Sequence, residues 1–287
     1  MTPSVPFLRP QRAARRRLVA MLSAAVLLAS CLAARAQSGP NPGPNPAALP
    51  DAPQSQSQSQ AQAQSQDAIT IRNTPRNILH DQLAIWTSPA RLRVHDLKWL
   101  APLAVATGIS IATDHRAMTD VVSHDPSFNQ ANVNASNAMI GGFIAAPVAL
   151  YGFGHFRADD HAREAGILSG EALIDGVGVE EGMKLIFWRE RPALDSAHGK
   201  FFQSGAGIDS SFPSSHSVLA WATASAIATE YPSLWTQTLV YSGATAISLT
   251  RVMGQEHFPT DVLVGAAAGW LVGRYVVHHH RHALATR

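Results

Sequence analysis

Three short stretches bring together residue types that handle anions. In Lys184-Leu185-Ile186-Phe187-Trp188-Arg189-Glu190-Arg191-Pro192, Lys184 and Arg191 stand seven apart, two helical turns, so both cations share one helix face. Pro192 discourages continuation of that helix, which puts the pair at its mouth. Alone, such a pair ordinarily forms a solvated face. In Pro213-Ser214-Ser215-His216, a proline and small residues open an apolar helical run. Free backbone N–H groups at the positive end of the helix dipole make a ready anion site. Alone, this stretch reads as a simple cap carrying a solvent-facing histidine. In the third, Arg251 closes one helical run, and His257-Phe258-Pro259-Thr260-Asp261 opens the next. His257 and Asp261 are four apart, close enough for the carboxylate to accept a hydrogen bond from one ring nitrogen. That fixes the tautomer and raises the basicity of the other nitrogen, as a nucleophile or base requires. A His-Asp pair that merely satisfies a helix start is the other reading of the same spacing.

The elements that must position these residues are helices. Asn77–Trp86 sets Ile78, Leu79, Leu83 and Trp86 at helical spacing, an amphipathic segment, and Ser88-Pro89 reads as an N-cap with proline in the first turn. Apolar helical runs follow at Leu100–Ala112, Ala138–Phe156, Gly166–Trp188, Ser217–Glu230, Thr236–Val252 and Asp261–Val277, with no run of alternating strand residues. The expected fold is all-α, a bundle of about six core helices with the three motifs gathered at one end.

In their order and spacing, K-x6-R-P, then P-S-S-H, then T-R-x5-H-x3-D, the motifs resemble the superfamily of type 2 phosphatidic acid phosphatases, bacterial class A acid phosphatases and vanadium haloperoxidases. The resemblance covers roughly Ala138–Val277. It implies a phosphatase in which Lys184, Arg191 and Arg251 clamp the phosphate oxygens, with Ser214 and the backbone N–H of Ser215 adding hydrogen bonds. It further implies that His257 attacks phosphorus to form a phosphohistidine and that Asp261 orients it. His216 would protonate the leaving oxygen and then activate water. Two residues depart from the usual pattern: Ser215 stands where glycine is common, and Thr250 replaces a serine before Arg251. The scheme calls for no metal and no cofactor, since three cations do the work of a metal. The histidine-rich stretch His278-His279-His280-Arg281-His282 reads as a solvated tail. Vanadate-dependent haloperoxidase and a non-catalytic envelope protein with a relic site are the competing functions.

The N-terminus reads as an address. Residues 1–36 hold six arginines and no acid, then an apolar run from Leu18 to Ser30 and Ala34-Arg35-Ala36, the layout of a secretory signal. Leu28-Ala29-Ser30-Cys31 also resembles a bacterial lipoprotein cleavage site, with Cys31 as the lipid acceptor. Residues 37–67 carry six of the 18 prolines and a Ser-Gln/Ala-Gln alternation, a disordered linker ahead of a domain at 68–287. Removing the six leader arginines from the formal +2 leaves −4, which argues against nucleic acid as a partner. The expected partner is a phosphate ester, soluble or a membrane lipid phosphate.

Membrane association is expected, in the bacterial cell envelope with an extracytoplasmic site. Glu171, Asp175, Glu180 and Glu181 would be expensive in lipid unless they face the bundle interior. Arg91, Arg93, Lys98, Arg157, Arg163, Arg274 and Arg281 gather at the end away from the motifs. The leaving-group pocket is expected from Asp114–Asn137 and Asp195–Asp209, which carry no recognisable code.

Overall fold

A computed structural model of the chain describes residues 69–203 and 209–285. The leader over 1–36 with Cys31, and the linker over 37–67, lie outside the described residues. Seven α-helices are found among those described, and no strand. They are α1 (Thr74–Thr87), α2 (Leu97–Arg116), α3 (Pro126–Arg157), α4 (Asp160–Phe187), α5 (Ser215–Glu230), α6 (Leu234–Met253) and α7 (Pro259–Ala285). The amphipathic segment and the apolar runs fall within them, except that Trp188, the last residue of one run, is the left-handed C-cap just beyond α4.

Local chemistry sets several of the ends. Asp125 caps α3, its carboxylate accepting from Phe128 N at 2.8 Å, with Pro126 in the first turn. Asp159 caps α4 through Ala162 N at 3.0 Å, and Ser233 caps α6 through Thr236 N at 3.1 Å. α3 thus starts twelve residues before the apolar run does, because cap and proline outweigh the polar Asn-rich stretch that follows them. Ser88-Pro89 does not open α2. It forms a single 3-10 turn, Ser88–Arg91, and the Ser88 hydroxyl donates back to Ile85 O at 2.7 Å.

α5 is the central helix, packed by α3, α4, α6 and α7. It is buried on all sides and is built from small residues, among them Ala220, Ala222, Ala224, Ala226 and Ala228. One core cluster joins Ile140, Leu173, Leu219 and Ile247 across α3, α4, α5 and α6. A second joins Leu168, Val179, Ala226, Val272 and Val276 across α4, α5 and α7. Against α7 the approach is backbone to backbone: a Cβ on Gly269 would lie 2.2 Å from Val218 O, and one on Gly273 2.3 Å from Ala222 O. Gly269→Ala is therefore expected to cost about 1–3 kcal/mol by pushing α7 off α5, and Gly269→Leu more. Thermal unfolding of the two variants measures this. A melting point unchanged in Gly269→Leu would contradict the close contact.

α1 does not bury its apolar residues as an ordinary amphipathic surface helix does. Leu79 and Leu83 point outward, 69% and 67% exposed, while Asp81 is fully buried. The inward side mixes polar and apolar groups: Asn77 Nδ2 donates to Glu171 at 3.1 Å and Gln82 Nε2 to Asp175 at 2.8 Å, while Ile85 packs against the second core cluster and the Trp86 ring lies against Gly182. The acids of α4 accordingly face the bundle interior, with Glu171, Asp175 and Glu180 all buried. The histidine-rich stretch is helix rather than tail as far as Arg281: His278 and His279 are exposed as expected of a solvated segment, but His280 and Arg281 are not free in solvent. His278 to Arg281 lie within α7, where His280 Nε2 bonds Asp81 at 2.8 Å and Arg281 pairs with Glu164 and Glu230.

Candidate active site

The antiparallel course of the helices brings the C-terminal ends of α4 and α6 to the N-terminal ends of α5 and α7. All eight sequence-predicted residues lie at these ends. Lys184 is in the last turn of α4, but Arg191 follows in the α4–α5 connection, so the two do not share a helix face as their spacing suggested: Trp188 turns left-handed at φ 39° and ends α4 at Phe187, before Pro192 is reached. Ser214 is the N-cap of α5, followed by Ser215 and His216 in its first turn. Arg251 ends α6, His257 precedes α7, and Asp261 lies in the first turn of α7.

His257 is buried, and its Nδ1 bonds the backbone carbonyl of Ser211 at 2.8 Å. A carbonyl only accepts, so Nδ1 carries the hydrogen and Nε2 keeps its lone pair. Burial first, then the charges of Arg191, Arg251, Lys184 and His216, hold the His257 pKa well below 6.5. The imidazole is therefore neutral at neutral pH with three cations close by. Two of these groups are themselves well enclosed: Lys184 is 1% exposed and Arg251 6%.

The expected hydrogen bond between Asp261 and His257 is not made. Asp261 Oδ2 stands 3.6 Å from His257 Nδ1 and instead accepts from Ser211 Oγ and from Phe258 N, each at 2.9 Å. The carboxylate reaches the histidine through Ser211, whose hydroxyl it holds and whose carbonyl orients the ring. Asp261 also anchors α5 to α7, its backbone O accepting from Ser214 N at 3.0 Å.

Arg189, inside the first motif, was not among the predicted site residues. It is buried, donates to Asp261 at 2.6 Å and to Asp114 at 2.7 Å, and reaches Gly199 O at 3.1 Å. Its guanidinium stacks between Phe258 and Phe201, 4.1 and 4.6 Å from the ring centroids. Asp114, at the end of α2, also takes Thr260 N at 3.1 Å. Asp114, Arg189, Asp261 and Ser211 thus form one chain of contacts that ends at His257.

Four more residues join the site. Asn137 of α3 holds His216 Nε2 at 2.9 Å, and Ser136 accepts from Arg251 at 3.2 Å. Both lie in the part of α3 that precedes the apolar run; Asp125-Pro126 was the sequence signal that reveals it. Glu180, one turn before Lys184, pairs with both Lys184 and the Ser215 hydroxyl, and Lys184 Nζ donates to Ser215 Oγ at 2.7 Å. The serine at the usual glycine position therefore fills its space with a side chain tied to two buried partners. Glu256 Oε2 lies 3.2 Å from both Arg191 and Arg251. Ser214 Oγ is buried with no hydrogen-bond partner among the described residues. No three His, Cys, Asp or Glu side chains among the described residues converge as a metal-binding group.

The arrangement offers a neutral, oriented imidazole, three cations, an unengaged buried hydroxyl and a second histidine at a helix N-terminus. Such a set can bind a tetrahedral oxyanion and take a phosphoryl group on nitrogen. Residues 165–284, which contain all eight predicted site residues, match the family described as the PAP2 superfamily. Over 106 residues the chain is 38% identical to lipid A 1-phosphatase of Porphyromonas gingivalis, covering 36% of this chain and 21% of that protein. The chain thus spans about a fifth of the length of the curated relative it matches. Among solved structures, one match is the crystal structure of the first transmembrane PAP2 type phosphatidylglycerolphosphate phosphatase from Bacillus subtilis. It is 20% identical with a TM-score of 0.44, over 63% of this chain and 96% of that one.

Proposed function

We propose, from the match of residues 165–284 to the PAP2 superfamily and from the geometry of the site, that this protein is a metal-independent phosphatase acting on a lipid phosphate through a phosphohistidine. The observation that carries the reading is the Ser211 carbonyl on His257 Nδ1, which leaves Nε2 as the nucleophile among Lys184, Arg191 and Arg251. Nε2 attacks phosphorus, the bond to the leaving oxygen breaks, and His216 supplies that oxygen with a proton. His216 then takes a proton from water as the water oxygen attacks phosphorus, releasing inorganic phosphate and restoring His257. The three cations and the N–H groups opening α5 offset the charge that builds on the equatorial oxygens.

A lipid substrate is supported by the outer faces of the helices. α3 (Pro126–Arg157) and the Pro259–Arg281 stretch of α7 are each long and apolar enough to cross a membrane, and only 17% of the α3 window is buried inside the protein. α2 shows Trp99, Val105 and Ile109 to the outside, and α6 shows Trp235 and Leu239. Twenty residues of helix rise about 30 Å, the thickness of a bilayer's hydrocarbon core. The lipid A 1-phosphatase of P. gingivalis supplies one substrate class to try first. The chain would act at the cell envelope, exported by the leader over 1–36, with its active site outside the cytoplasm.

The full chain in detergent is expected to release phosphate from lipid A or phosphatidate without added metal. The rate should be unchanged by a chelator and inhibited by vanadate. Phosphate release that requires a divalent ion would overturn the mechanism. Vanadate-dependent bromide oxidation with no phosphate-ester turnover would overturn the assignment.

A further inference from the structure

Each phosphate-clamping cation already has a carboxylate, but the two carboxylates differ in what they can do. Glu180 is 3% exposed and locked to Lys184 and Ser215, so it stays in place. The Glu256 side chain is 24% exposed and extends to the two arginines from the turn between α6 and α7. Its Oε2 receives Arg191 Nη1 and Arg251 Nη2, both at 3.2 Å. Its backbone is fixed independently: Glu256 O accepts from Arg191 at 3.0 Å, and Glu256 N donates to Arg251 O at 3.1 Å. The side chain can therefore leave while the turn keeps its shape. One oxygen held between two guanidinium groups also marks where those groups would hold a phosphate oxygen.

We propose that Glu256 is a resident counter-anion, displaced from Arg191 and Arg251 when the phosphoryl group binds and returning when phosphate leaves. The inference rests on the phosphatase reading above and adds a role in affinity and product release. With the site empty, the carboxylate keeps two like-charged arginines side by side, 21% and 7% exposed, against their mutual repulsion. With phosphate bound, the anion does so instead. Every anion that enters must first break the two Glu256 contacts, so substrate, transition state and product are all bound less tightly by the same factor. For the product this is an advantage: inorganic phosphate, an anion of mixed single and double charge at neutral pH, would otherwise leave three cations slowly.

The sign of the effect separates this role from a structural one. Glu256→Gln, in the full chain, keeps the shape and removes the charge, and Glu256→Ala removes the competitor. Binding of inorganic phosphate and of vanadate, measured by calorimetry without turnover, is expected to tighten about tenfold in both variants, equivalent to about 1.4 kcal/mol. KM should fall by a similar factor with kcat not raised, and product inhibition should appear at lower phosphate. If Glu256 served only to hold the arginines in place, its loss would weaken phosphate binding and raise KM. Unchanged or weaker binding in Glu256→Gln overturns the inference while leaving the phosphatase intact. A wild-type protein that neither binds phosphate nor hydrolyses a phosphate ester overturns both.

Discussion

Replacing His257 by alanine is expected to lower kcat/KM on a phosphate ester by about 10^4-fold or more, the scale seen when a nucleophile is removed from a preorganised site. Vanadate binding should survive better than turnover, because Lys184, Arg191 and Arg251 remain. Residual activity within tenfold of wild type would sink the phosphohistidine scheme. The pH dependence carries a second signature. Because burial and four nearby positive groups hold the His257 pKa well below 6.5, its nucleophilic form is not lost as pH falls through 6.5. No acid limb from this group is expected until lower pH. Stability behaves the opposite way. Below 6.5 the unfolded chain protonates His257 and the folded chain does not, so this residue's contribution falls as pH drops from 6.5 toward the folded pKa. His257→Ala should remove that part of the slope, which denaturant titrations between neutral and acidic pH would measure.

The residues that do the proposed chemistry were legible because their spacing along the chain is short: a lysine and an arginine seven apart around a helix end, a histidine and an aspartate four apart across a helix start, and a proline before two serines and a histidine. The partners of those residues were not, because they are set by packing between distant segments. Arg189 lies in the first motif, yet its meaning depends on Asp114, 75 residues upstream. Glu180 looked like a liability in an apolar helix and is tied to Lys184, one turn along on the same helix. Glu256 adjoins His257 in the chain and faces the arginines instead. α1 shows the limit most plainly. Ile78, Leu79, Leu83 and Trp86 at helical spacing suggest one inward apolar stripe, but Leu79 and Leu83 face outward, and Asn77, Asp81 and Gln82 meet α4 and α7 alongside Ile85 and the Trp86 ring. An outward apolar face fits a helix whose surroundings are lipid rather than water, and periodicity alone does not tell which side faces in.

The interlocking of Asp114, Arg189 and Asp261 leads to the largest expected effect on folding. Arg189→Leu keeps an apolar side chain beside Phe201 and Phe258 but is too short to reach the guanidinium position, and it leaves two enclosed carboxylates without their cation. Removing one member of such a buried group costs about 3–5 kcal/mol, far more than the pair contributes relative to an apolar replacement of all its members. The loss passes to the active site, because Asp261 also fixes Ser211 and Phe258 and Ser211 orients His257. Arg189→Leu is therefore expected to lower the melting temperature strongly and to abolish activity in whatever folds. Arg189→Lys should be intermediate, since one ammonium cannot span Asp114, Asp261 and the Gly199 carbonyl together. Combining Arg189→Leu with Asp114→Asn and Asp261→Asn should recover stability, since the uncompensated charges are gone, but not activity. Denaturant unfolding of the four proteins separates these terms. A stability for Arg189→Leu within about 1 kcal/mol of wild type would mean that the two carboxylates are not left as buried, unpaired charges, and would overturn this account of Arg189.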